Sequence, residues 1–117
     1  MANNATNSGA GIMLDALPSP MGVKLHKGDP TDAGTAQLSV QYPALVSVTF
    51  GPTAAGVRLS TAVAAWVAGA GAETITHVSV WNAAGTLCLF QGPLAAPVPV
   101  NAEPFTIAAG DLALALT

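Results

Sequence analysis

Between residues 74 and 94 the chain reads TITHVSVWNAAGTLCLFQGPL, two apolar runs joined by four small residues. The β-branched residues of 74–81, followed by the apolar positions of 86–91, predict two paired strands. Asn82-Ala83-Ala84-Gly85 supplies the connection, with Asn at the first corner of a type I turn and Gly in the left-handed position that closes it. With Trp81 opposite Thr86, Val80 meets Leu87 and Val78 meets Leu89, so one face of the hairpin is wholly apolar. The other face carries His77, Ser79, Trp81, Cys88 and Phe90. A ribbon apolar on one side and half-apolar on the other belongs between two layers, or between a layer and a partner chain.

The same pattern divides the rest of the chain into short strands. GVKLH at residues 22–26 alternates, with Val23 and Leu25 inward. Residues 27–34 are dense in turn formers. Residues 38–40 and 44–50 are further strand candidates, with Pro43 marking a bulge or an edge, and Val46, Val48 and Phe50 share one face. A turn at 51–56 leads to a short strand at 57–59. TAVAAWV, residues 61–67, reads as helix by its alanines and strand by its valines; the early stop at Gly69-Ala70-Gly71 favours a strand. Residues 93–101 form a proline-interrupted edge, 105–107 a strand, 108–111 a turn and 112–116 a closing strand. Residues 1–11, small and polar, read as a flexible arm preceding a single β-rich domain over 12–117. A short helix capped by Asn7 or Ser8 runs to Leu17 with Met13, Ala16 and Leu17 on one face, and Pro18 ends it. The expectation is a mainly β domain, a β-sandwich or jelly-roll-like fold of seven to eight short strands.

Composition changes this picture in one respect. Charged residues make up only 8% of the 117, against about 25% in an average soluble domain. Mixed charge is what keeps small domains apart, so this surface is built to be covered by neighbours. With Lys24, Lys27 and Arg58 against six acids, there is no basic stripe for nucleic acid. The charge-free span 74–102 is interrupted by Asn82, Gly85, Gln91, Pro93, Pro97 and Pro99, which argues against a membrane helix. The N-terminal residues lack the basic and apolar regions of a secretory signal, and one cysteine allows no internal disulfide. These features fit synthesis in a cytoplasm without export.

Chemistry-bearing residues are few. His26 with Asp29 and Asp32 resembles a cation loop, but Asp-Pro-Thr-Asp is also ordinary turn chemistry. His77 sits mid-strand among apolar neighbours as a core or interface histidine. Cys88 shares its face diagonally, yet a strand-interior cysteine is usually an inert small hydrophobe. Asp15, Glu73, Glu103 and Asp111 are scattered and form no acid–base pair. No catalytic residue, metal ligand or cofactor site is read from the sequence, and an enzyme is the least favoured class. Interface candidates are His77, Trp81 and Phe90 on the mixed hairpin face, Trp66, and Asn3, Asn4 and Asn7 in the arm. An exposed Trp66 or Trp81 would also suit a carbohydrate-binding host-attachment module.

Several segments, in order, carry a resemblance: MLDAL at 13–17, VKLHKGDPTDAG at 23–34, ALVSVTFG at 44–51, ITHVSVWNAAGTLCLFQGPL at 75–94 and FTIAAGDLALAL at 105–116. The chain resembles small bacteriophage virion structural proteins, of the tail fibre-like or capsid decoration kind. It departs from their pattern in the alanine-rich material around residues 41–67. The resemblance implies a non-enzymatic virion component that works as an oligomer, with a trimer favoured. The leading expectation is a capsid decoration protein on the particle surface, binding the major capsid protein and itself. The alternative is a tail, fibre or baseplate structural protein.

Overall fold

Pairing along the first predicted strand organises the sheet. In the computed structural model, which describes residues 7–17, 19–67 and 69–115, β1 (Met21–His26) lies between β2 (Val46–Val48) and β5 (Ala72–Trp81). The outer neighbour of β5 is β6 (Cys88–Asn101), so the four-stranded antiparallel sheet runs β2-β1-β5-β6. Two small ladders accompany it: β3 (Val57–Leu59) with β8 (Ala113–Ala115), and β4 (Ala64–Trp66) with β7 (Phe105–Ile107). The single helix among the described residues, α1 (Asn7–Asp15), completes a mainly β, sandwich-like domain, as expected. No helix among the described residues is long and apolar enough to cross a membrane.

Opposed residues of antiparallel strands share a face. Val23 and Leu25 of β1 therefore stand beside Val80 and Val78 of β5. With Met21, Val48 and Phe90 they make the inner face of the sheet. It packs into one core cluster with Leu14 from α1, Ala64 and Trp66 from β4, Phe105 and Ile107 from β7, and Leu112 and Leu114 at the C-terminal end. Parts of the segment 27–45 cover the opposite face, while its Tyr42 turns into the core beside Phe105. At Gly34, whose φ of 73° favours glycine, a Cβ would fall 2.5 Å from Cys88 Sγ and 3.0 Å from the Trp81 ring. Leu45 fills the notch left by Gly22, where a Cβ would meet its Cδ1 at 2.5 Å. The hairpin thus lies between two layers, and the second layer is a loop.

The hairpin register differs from the expected one. Gly85 N–H donates to Asn82 O at 2.9 Å and Gly85 has φ 72°, so the turn itself forms as its residues dictate. Asn82 Oδ1, however, also accepts from Thr86 N at 2.9 Å and Leu87 N at 3.3 Å. This side chain draws the next two amides into the loop, and the ladder restarts with Trp81 opposite Cys88 and Val80 opposite Phe90. The intervening Leu89 makes a bulge. Phe90 consequently lies on the Val80 face, not with His77, and Leu87 is left exposed rather than facing Val80.

Three further expectations are corrected. Residues 38–40 form no strand; Leu38 makes only a bridge to His26, because the Glu73 carboxylate takes the nearby donors. Ser39 Oγ and the Gln41 amide bond its Oε1, and Val40 N–H bonds its Oε2 at 2.9 Å. Residues 44–50 contribute only Val46–Val48 as strand, with Phe50 bridged to Ser60. In α1 the inward residue is Leu14, fully buried, with Leu17 against the core, whereas Met13 and Ala16 face solvent. The cause is Arg58, which reaches from β3 and donates through Nη1 to Leu14 O at 2.7 Å and Leu17 O at 2.9 Å. A cation at the helix C-terminus also opposes the helix dipole there. Residues 7–11 of the expected arm are helical; Asn3, Asn4 and the stop at Pro18 lie outside the described residues.

Candidate functional site

The outer face of the sheet gathers most of the chain's polar chemistry. Strand alternation puts Lys24 and His26 of β1 beside Ser79 and His77 of β5, and Trp81 follows on the same face. His26 is fully buried. Its Nδ1 lies 2.9 Å from Ala36 O and its Nε2 2.7 Å from Ser79 Oγ, which also accepts from Trp81 Nε1 at 2.7 Å. A carbonyl only accepts, so the proton sits on Nδ1, and Nε2 receives the Ser79 hydroxyl hydrogen. The neutral ring satisfies every partner in this relay. Burial is the main cause that holds its pKa below the ordinary histidine value, with the nearby His77 and Lys24 adding to it. Lys24 Nζ also stands 4.3 Å from the Trp81 ring centroid, a cation–π contact.

At the acidic loop, the side chains of His26 and Asp29 are engaged in bonds within the chain. Both His26 nitrogens are engaged with Ala36 and Ser79, while Asp29 Oδ1 accepts from Thr31 N at 2.9 Å as turn chemistry. Among the described residues no cluster of three or more His, Cys, Asp or Glu has metal-binding geometry. Cys88 Sγ donates to Phe90 O at 3.4 Å, and burial pushes its thiol pKa up, away from the reactive thiolate. It does share a face with His77, but it sits opposite Trp81 while His77 sits opposite Pro93. That spacing of four residues is about 13 Å at the rise of a strand, and His77 Nδ1 pairs instead with Thr76 Oγ1 at 2.8 Å.

Beside this relay a cleft of about 670 Å³ opens between the loop and the hairpin end. Asp32, Ala33 and Thr35 form one wall, and Thr86 to Gln91 the other, with Trp81 at the base. Of the interface, core and glycan-facing roles open to the tryptophans, both take buried positions within the chain. Trp66 is 3% exposed, donates from Nε1 to Ala44 O at 3.0 Å and meets Phe105 edge-on at 5.9 Å. Trp81 is 5% exposed. Neither ring is free to stack on a glycan. Phe90 is half-buried on the core side, His77 half-buried on the outer face, and Asn7 begins α1. Among the described residues the large exposed apolar side chains are others: Ile12, Met13, Val40, Leu59, Val63, Val67, Leu87 and Val98. Sequence reasoning placed His77, Ser79 and Trp81 on one face. It missed their link to His26, which only the β1–β5 register reveals.

A family model described as Podophage GP4 fiber I protein gp80 matches residues 3–115. The chain belongs to this family. Gp80 is thus a phage fibre family, and its members' virion character agrees with the resemblance carried by the GDP loop, the ITH strand and the AAGDL turn. Of the two virion placements drawn from the sequence, the family favours fibre over capsid decoration. No curated relative matches the chain.

Proposed function

We propose that this protein is a structural subunit of a bacteriophage fibre, made in the host cytoplasm and assembled on the virion surface through contacts with itself and with other particle proteins. The observation that carries the reading is the fibre-family match across residues 3–115. The low charge supports it, and so does a surface that leaves Ile12 of α1 exposed together with Val63 and Val67, which flank β4. Such residues are poor company for water and good material for subunit contacts. The chemistry of the outer face fits a structural role as well: its histidine, serine and tryptophan are spent on one another and on the loop.

Association through the free edge of β6 is disfavoured. Pro93, Pro97 and Pro99 interrupt that strand, and proline is tolerated in a ladder where its nitrogen faces away from the partner. The outward edge therefore lacks donors at those positions, and a second strand gains an incomplete ladder. Self-association, a trimer in the favoured form, then runs through faces and side chains. Gold-labelled antibodies against the folded domain, applied to intact virions, test the placement. Label along fibres supports it; label spread over the head surface restores the decoration reading. Light scattering of the purified protein tests the oligomer.

A further inference from the structure

We propose that His26 is a proton-operated latch, which holds the loop of residues 27–38 closed over Trp81 and Cys88 when neutral and releases it when protonated. The loop is held at its ends, at two points against the sheet and by Pro30, which is fully buried. Lys27 N–H donates to Gln37 O at 2.9 Å and Ser39 N–H to Leu25 O at 2.9 Å, closing its two ends. Between those ends, the His26 bond to Ala36 O and the seating of Gly34 on Cys88 and Trp81 tie it to the sheet. Thr31 and Gln37 hold φ values of 64° and 52°, left-handed backbone that a non-glycine residue keeps only when its surroundings impose it. The closed loop is therefore a state maintained by tertiary contacts, of which the His26 contact is the one whose group ordinarily titrates near neutral pH.

Protonation breaks the relay at Nε2 and leaves the Nδ1–H bond to the Ala36 carbonyl in place, so opening is driven by the buried charge and the Ser79 hydroxyl against that bond. A proton on Nε2 turns that nitrogen from acceptor to donor, facing Ser79 Oγ at 2.7 Å. Ser79 Oγ already accepts from Trp81 Nε1. It must then receive two donors and turn its own hydrogen away from His26, in a position with no solvent exposure. The new charge is buried as well. On its own strand it has Lys24, and across the ladder it has His77, so neither sheet neighbour offers an anion. From the loop, Asp29 is engaged with Thr31 N, and Asp32 lines the cleft beside Cys88. Lys27, next in the chain, is a further cation. Moving the loop away lets water reach the ring and relieves both the orphaned hydroxyl and the buried charge.

The lowered pKa of His26 in the closed form sets the direction: acid favours the open form, starting as the pH falls below about 6.5, the ordinary histidine value, and growing until the closed form also takes the proton. Cys88 serves as a reporter, because Gly34 sits against its sulfur. The test is labelling of the full chain with 2,2′-dipyridyl disulfide, a reagent that reacts with thiols in acid, from about pH 7.5 to about pH 5. Relative to a small-molecule thiol at each pH, wild type should react about tenfold faster at the acid end than at the neutral end, with unchanged far-UV circular dichroism. His77→Gln should keep this rise, and His26→Gln should flatten it. A flat profile in wild type, a rise lost in His77→Gln but kept in His26→Gln, or a rise that tracks loss of secondary structure would overturn the latch. Should His26→Gln not fold, hydrogen exchange of wild type decides. Faster acid-side exchange, corrected for intrinsic rate and confined to residues 27–38, supports the proposal; uniform or absent change rejects it.

Discussion

Replacing Arg58 by methionine isolates the interaction that docks α1 on the sheet. Arg58 is buried and donates to three carbonyls, Leu14 O at 2.7 Å, Gly51 O at 2.8 Å and Leu17 O at 2.9 Å. Methionine keeps most of the stem and removes the guanidinium. Hydrogen bonds from charged groups contribute roughly 1.5–3 kcal/mol each, but burying a charge among carbonyls carries a desolvation penalty that the substitution relieves. The two helix carbonyls can also recover water once α1 loosens. The net loss expected is about 2–4 kcal/mol, which for a domain near this size lowers Tm by about 10 °C. The assay is thermal and urea unfolding at one fixed protein concentration, since association shifts both. Hydrogen exchange should locate the change in residues 7–17, with β1 and β5 still protected. An Arg58→Met protein with Tm unchanged, or with exchange raised evenly over the sheet, would refute the idea that one buried cation docks the helix.

Three further outcomes follow from the same geometry. Trp66→Ala empties a core site between Phe105 and Ala44 and should lose about 3–5 kcal/mol in urea unfolding, whereas glycan binding is not expected of wild type on an array. Pro97→Val with Pro99→Val restores edge donors on β6 and should raise aggregation in light scattering without lowering Tm. Asp15 accepts from Thr53 Oγ1 at 2.7 Å and Thr53 N at 2.8 Å, and these bonds hold its pKa below the ordinary carboxylate value. Its contribution is present above that ordinary value and declines as the pH falls through the lowered one; Asp15→Asn should flatten this acid limb in a stability–pH profile.

Local chemistry was readable along the chain, and long-range pairing was not. Val23 and Leu25 of β1 point into the core as their spacing predicts, Gly85 takes the left-handed turn position, and the prolines of β6 mark an edge strand. Each of these features rests on neighbours a few residues apart. The bulge at Leu89 escaped because the Asn82 side chain competes for backbone donors at Thr86 and Leu87, and that competition moved Phe90 to the other face. Residues 38–40 have strand-like side chains but lose their ladder to Glu73, which lies more than thirty positions away in the chain. The site followed the same rule. His77, Ser79 and Trp81 alternate visibly, but their link to His26 depends on β1 and β5 being neighbours. Trp66 and Trp81 looked available for partners because tryptophan in a low-charge chain reads equally well as interface or core; burial assigns both to the interior.

Peptide mass spectrometry on purified virions, separated into DNA-filled heads and detached tails with their fibres, tests the fibre assignment most directly. Stoichiometric recovery with the tail and fibre fraction is the expected result. Recovery with heads, at a ratio set by the major capsid protein, would contradict it.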